Sequence, residues 1–251
     1  MKTTVRLMLA SLALAASVGP ASEPVVTDVR VINETRRVQL LEARLASLQR
    51  EVEMIEDRKA IERLQQAWGH YISEGMATEA AALFSDSPAA SIEFAQQGVY
   101  LGRQRIQAFL AIAARTAPGE LRETPVMQPV IHVSADGTSA RARWRAMVLG
   151  GQRGQDGRWD EGPFENEYVK ENGAWKILHM HWYTTMSGSY DKGWHKEPYP
   201  AAGPLRELPP DRPPTMVYES FPGFYLPPYH YLHPVTGKPV AWDDVAAEGA
   251  R

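Results

Sequence analysis

Phe164-Glu165-Asn166-Glu167-Tyr168-Val169-Lys170-Glu171-Asn172-Gly173-Ala174-Trp175-Lys176-Ile177-Leu178-His179-Met180-His181-Trp182-Tyr183 reads as a β-hairpin closed by Asn172-Gly173, the dipeptide that a two-residue primed turn demands. Pairing Glu171 with Ala174 sets Lys170 against Trp175, Tyr168 against Ile177, Asn166 against His179 and Phe164 against His181. An unbroken period of two then gives one face to His179, His181, Asn166, Tyr168 and Trp175, and the other to Glu165, Glu167 and Lys176. Polar groups buried beside aromatics cost free energy unless paired, so the first face is expected to line a pocket rather than a plain core.

The chain has 251 residues, 44% hydrophobic and 23% charged, enough for one good core with residues left for extensions. A net charge of −3 with dispersed Lys and Arg argues against a nucleic-acid surface. Lys2 and Arg6, an apolar run from Leu7 to Val18 and then Gly19-Pro20-Ala21 have the layout of a secretory signal peptide, so residues 1–21 are expected to be removed on export to the periplasm or beyond. The run is shorter than the ~20 residues of a membrane anchor, and no membrane association is expected after processing. Cysteine is absent, which excludes disulfides, thiol catalysis and thiolate metal sites.

Val38, Leu41, Leu45, Leu48, Val52 and Ile55 recur at spacings of three and four, a short heptad seam within a helical extension spanning 22–55. It reads either as a coiled coil that sets a homo-oligomer or as a helix packed on its own domain. A second amphipathic phase, through Ile61, Leu64, Trp68, Tyr71 and Ile72, is expected to end at Gly75. Thr78 to Phe84 predicts a short helix, Ile92 to Tyr100 a strand pair kinked at Gly98, and Gly102 the start of a third helix with Ile106, Phe109, Leu110 and Ala113 on its stripe. Val126 to Val133 and Ala140 to Leu149 predict strands joined through Asp136-Gly137, with Arg141, Arg143 and Arg145 on a solvated face opposite Glu165 and Glu167. His132 falls on that arginine face. Gly150 to Gly162 reads as a Gly-rich loop lacking the order of a phosphate-binding fingerprint. From His195 onward twelve prolines interleave with aromatics, predicting a C-terminal arm over 191–251 that lies across its own domain or a neighbouring subunit. His230 and His233 in that arm are expected at the surface.

Leu83-Phe84-Ser85-Asp86, Gly98-Val99-Tyr100-Leu101-Gly102 ahead of Ile106, and Gly173-Ala174-Trp175-Lys176-Ile177, in that order after a helical start, resemble the SnoaL-like branch of the nuclear transport factor 2-like superfamily over about Glu56 to Tyr190. The resemblance implies an α+β fold over 56–190, in which three N-terminal helices pack on a strongly curved antiparallel sheet that closes as a cone around a hydrophobic cavity. It also implies a choice among polyketide cyclases, dehydratases, ketosteroid isomerase, carbon–carbon lyases and non-catalytic binding domains, because fold does not settle function. Where the family commonly has an aspartate near the end of the first helix this chain has Ser73, and Trp68 stands where a tyrosine is usual. Asp86 reads as a brace for a turn.

Histidine both takes and gives protons near neutrality, so His179 and His181 are the first acid–base candidates, with Tyr183 or Tyr168 as phenol donors to an oxyanion. The alternative is that each is a hydrogen-bonded core residue. Asn166, Trp68, Tyr71, Trp144 and Trp175 are the candidate substrate-binding residues, and their aromatic character suits an aromatic ligand. His179-x-His181 with His70 or a carboxylate could hold a metal, although proton transfer without metal or cofactor is the preferred reading. The expectation is a lyase or isomerase acting on a small hydrophobic, aromatic molecule, with formaldehyde-releasing cleavage of lignin-derived aromatic dimers as one reaction that the resemblance admits. A non-catalytic binding or oligomer-assembly domain is the alternative.

Overall fold

The computed structural model describes residues 25–155 and 157–240, with side-chain surroundings given from residue 33 onward. The expected signal peptide therefore lies outside the described residues. The chain divides into two compact units, one ending at Arg50 and one beginning at Glu51.

Helix α1, Val25–Ser73, runs without interruption through the position where the two sequence phases meet. The second phase, preceded by the acidic Glu56 and Asp57, thus does not start a new helix, since no glycine or proline intervenes to break the old one. What changes is the environment. Val38, Leu41, Leu45, Leu48, Val52 and Ile55 are all exposed, whereas Ile61, Gln65, Trp68 and Ile72 are buried. The latter spacing of four, three and four puts one stripe against the sheet. Gly75, at φ +73°, ends the helical segment, as a C-terminal glycine in the left-handed region does.

Helix α2 (Ala77–Ala82) is followed by β1 (Ser91–Phe94), β2 (Val99–Leu101) and α3 (Gly102–Ala113), whose Ile106, Phe109 and Leu110 are buried. Strands β3 (Glu120–Glu123), β4 (Val126–Val133), β5 (Ser139–Gln152), β6 (Arg158–Glu171), β7 (Ala174–Trp182) and β8 (Met186–Ser189) complete the fold. One sheet has the order β2-β1-β7-β6-β5-β3, with β4 also on β5 and β8 also on β6. Only the β1–β7 pairing is parallel. The supposed loop over 150–162 is largely strand: β5 and β6 pair from Ser139↔Val169 out to Gly150↔Arg158. One of its glycines is required by close backbone approach. A Cβ on Gly162 would lie 1.9 Å from the Tyr183 carbonyl oxygen, so only glycine fits there.

The hairpin around Asn172-Gly173 forms with the expected turn, and Lys170↔Trp175 and Tyr168↔Ile177 pair as read. Then the register shifts. Leu178 is the extra residue of a bulge between Glu167 and Tyr168, and beyond it Glu167 pairs with His179, Asn166 with Met180, Glu165 with His181 and Phe164 with Trp182. A one-residue slip exchanges the faces of everything that follows. Met180 and Trp182 therefore take the core side with Asn166 and Phe164, while His179 and His181 join the Glu165 and Glu167 side. The result is a continuous aromatic row across four strands, Phe94–Trp182–Phe164–Trp144. Trp68 meets it edge-on, 5.5 Å from Phe164. Fully burying each such ring contributes about 1.5–3 kcal/mol.

Candidate functional site

The core face carries the first candidate site, a cavity of about 560 Å³. Its apolar wall comes from α1, β1, α3 and β7 through Trp68, Phe94, Phe109 and Trp182. Its other end is charged. Arg122 of β3, Arg158 and Asp160 of β6, and Glu120 and Arg115 all line it. Cross-strand pairing explains the convergence of the strand residues: Glu120 sits opposite Gln152, Arg122 opposite Gly150, Gly150 opposite Arg158, and Val148 opposite Asp160, so one sheet face presents Glu120, Arg122, Arg158 and Asp160. Nε of Arg158 donates to both oxygens of Asp160, at 3.1 and 3.2 Å. Trp68 Nε1, Trp182 Nε1 and Thr124 Oγ1, all from lining residues, are buried and have no hydrogen-bond partner among the described residues. Unpartnered buried donors cost on the order of 1–3 kcal/mol each.

The core also holds a buried polar network centred on Gln65. Gln65 Oε1 accepts from Asn166 Nδ2 at 3.1 Å and from the Tyr168 hydroxyl at 2.8 Å, and the Tyr168 oxygen accepts from Trp144 Nε1 at 2.9 Å. Burial drives the Tyr168 phenol well above its usual range. Asp57 similarly accepts from Trp175 Nε1 at 2.8 Å and from Lys170 Nζ at 2.6 Å. These arrangements fix helix against sheet and satisfy most of the buried polar atoms, Gln65 Nε2 being left without a partner among the described residues.

The opposite face of the sheet carries a second cavity, about 910 Å³, between the strands and the proline-rich segment. His179, His181, Tyr183, Glu93 and Glu165 line it, with Tyr229 and His230 from the segment. Glu93, 4% exposed, accepts from the backbone N–H of Thr215 at 2.8 Å and from its hydroxyl at 2.9 Å. Burial raises the Glu93 pKa, and the Thr215 bonds oppose that. His181, stacked on Tyr183 at 3.8 Å, is pushed down by burial to about 4. His179 Nδ1 bonds Ser91 Oγ at 2.9 Å. His230 is not a surface residue: it bonds Glu165 at 3.0 Å and His132 at 3.1 Å, and its side chain is 7% exposed.

The candidates chosen from sequence thus divide among three places. Trp68 lines the core-face cavity, whereas His179, His181 and Tyr183 line the outer one, a correction forced by the bulge at Leu178. Asn166 bonds within the Gln65 network and also reaches the outer cavity through the wall, its Oδ1 accepting from the His181 N–H at 3.2 Å. Tyr168, Trp144 and Trp175 are packed in the core, and Tyr71, half-buried, packs against it; none of these four lines either cavity. Among the described residues no group of three or more metal-ligating side chains converges. Reading from sequence missed Arg122, which sits on an unanticipated strand, and Asp160, which sits in what looked like a loop. Arg141 and Arg143 do face Glu167 and Glu165 as expected, and Arg145 pairs with Glu161 at 2.5 Å. Among the described residues no helix is long and apolar enough to cross a membrane.

Residues 53–181 match the family profile of the SnoaL-like domain. Among solved structures, a scytalone dehydratase-like protein from Novosphingobium aromaticivorans is similar at 20% identity and a TM-score of 0.51, covering 62% of this chain and 97% of that one. A nuclear transport factor 2-like superfamily protein from Salmonella enterica is similar at 23% identity and a TM-score of 0.46, over 52% of this chain and 92% of that one. No curated protein sequence matches the chain.

Proposed function

Because the chain belongs to the SnoaL-like domain family, we propose that its core-face cavity binds a small aromatic molecule and catalyses a lyase or isomerase reaction by proton transfer. The observation that carries this reading is the two-ended cavity of about 560 Å³, aromatic at Trp68, Phe94, Phe109 and Trp182 and charged at Arg122, Arg158 and Asp160. That volume falls within the roughly 300–1,000 Å³ of small-molecule sites. The rings take the hydrophobic body of the ligand, and the polar end fixes its orientation.

Asp160 is the proton acceptor in this proposal, since its carboxylate lines the cavity and is held in place by Arg158. A well-placed general base contributes about 10²–10⁴ in rate. In this proposal the unpartnered donors of the lining residues Trp68, Trp182 and Thr124 steady negative charge developing on a ligand oxygen. Proton transfer of this kind needs no cofactor. The test is turnover of a panel of aromatic alcohols, ketones and lignin-type dimers with formaldehyde release among the readouts, comparing wild type with Asp160→Asn. Loss of at least about a hundredfold in kcat with little change in KM supports the assignment. Full activity in the variant removes Asp160, and absence of turnover across the panel favours a non-catalytic binding domain.

A specific observation also supports a homodimer. The six seam residues are between 41 and 61% exposed, with Val, Leu and Val at the first core position of successive heptads and Leu, Leu and Ile at the second. The first heptad, Val38 with Leu41, has the β-branched-then-Leu pattern that favours two parallel strands, and Leu45 and Ile55 depart from it in the next two. Arg37 and Glu42 flank the seam at the positions that pair across such a dimer. The partner is therefore proposed to be a second copy of this chain. Export, with removal of residues 1–21, is proposed on the leader-like sequence alone.

A further inference from the structure

One cation at the cavity's charged end stands without an ion-pair partner among the described residues, and this specifies the ligand more narrowly. Three cations line it, Arg115, Arg122 and Arg158, against two anions, Glu120 and Asp160. Four of the five are already engaged. Arg158 holds Asp160, Arg115 lies 3.7 Å from Glu207, and Glu120 accepts from the Ala117 N–H at 2.8 Å. Arg122 alone has no carboxylate within ion-pair distance among the described residues.

It is also poorly hydrated. Burial lowers its pKa from the usual guanidinium value, with the more distant Asp160 and Glu120 acting in the opposite sense. Arginine does not give up its proton at any physiological pH, so the half-buried group remains a cation that has lost part of its hydration and has only the more distant Asp160 and Glu120 to offset it. The strand register leaves room for one. Between Arg122 on β3 and Arg158 on β6 the intervening position on β5 is Gly150, so no side chain fills the gap between the two guanidinium stems.

We infer that the molecule bound in this cavity is an aromatic monoanion, whose carboxylate docks on Arg122 over Gly150 while its ring lies against Trp68 and Trp182. This rests on the reading of the core-face cavity as the ligand site. A planar guanidinium takes a carboxylate through two parallel N–H···O bonds, which gives both affinity and a fixed orientation. That orientation leaves the carbon skeleton pointing along the aromatic row. The single guanidinium without a carboxylate at ion-pair distance is met by one negative charge, and a cation is disfavoured.

Isothermal titration of wild type with 3-phenylpropionate and with its neutral amide tests this without any variant. The carboxylate is expected to bind about tenfold or more tightly than the amide, as the loss of a charged hydrogen bond implies. The advantage should fall as salt is raised. Arg122→Met should remove the difference while leaving the amide affinity within about twofold, and Arg122→Lys should restore part of it. Equal binding of acid and amide by wild type overturns the charge assignment and leaves the aromatic cavity standing. Binding of neither compound removes the cavity reading and this inference with it. Discrimination that survives in a folded Arg122→Met protein assigns the anion to another residue and overturns the role of Arg122.

Discussion

Nε2 of His181 lies 3.6 Å from Oε1 of Glu93, and the same carboxylate holds the proline-rich segment through Thr215. The pair joins the outer face of the sheet to the chain that covers it, in surroundings dry enough to move both groups in the direction of neutrality.

Acid is therefore expected to loosen this region. His181 titrates near 6.5 when unfolded and at about 4 when folded, so between those values the unfolded chain binds a proton that the native one refuses. Stability present above about pH 6.5 drains as pH falls toward 4, by up to about 3 kcal/mol for this group at 1.36 kcal/mol per pH unit. Glu93 acts with the opposite sign. Its raised pKa gives a contribution that is present below the ordinary carboxylate value and lost as pH rises through the folded one, so it offsets part of the His181 loss only toward the acid end. Urea unfolding at pH 7 and pH 5.5 should show wild type losing more stability than His181→Gln. Parallel losses in the two proteins would exclude His181 as the source.

Tyr168→Phe should destabilise by about 1–3 kcal/mol although it removes one oxygen atom. The change deprives buried Trp144 Nε1 of its acceptor and Gln65 Oε1 of a donor. Thermal unfolding measures it, and a neutral result would show that the buried network relaxes around the gap.

The exposed seam predicts a concentration-dependent dimer by sedimentation equilibrium. Leu41→Lys together with Leu48→Lys should give a monomer with unchanged affinity for the cavity ligand, because neither residue lines it. A monomeric wild type at tens of micromolar would contradict the proposed second copy.

Much of the fold was legible because local signals agreed with one another. Asn172-Gly173 supplied the turn, the stripe Ile61, Trp68, Ile72 supplied the packed face of α1, and Ile106, Phe109 and Leu110 did the same for α3. The face of the histidines was misread because period two was carried through Ile177-Leu178 without a break. Two consecutive apolar residues followed by apolar Met180 and Trp182 mark a shift in phase, and the larger apolar pair is what the core selects. Arg122 and Asp160 were missed for a different reason. Each becomes a cavity residue only through long-range pairing of β3 and β6 with β5, which short-range pattern cannot supply.

The face of the sheet that holds the ligand decides between Asp160 and the outer histidines as the chemical site. Two blocking variants decide it: Val148→Trp, which fills the core-face cavity, and Ala89→Trp, which fills the outer one. Titrated with an aromatic ligand that binds wild type, Val148→Trp should lose binding by about a hundredfold while Ala89→Trp keeps it. The reverse pattern would place the ligand beside His179 and His181 and contradict the assignment made here.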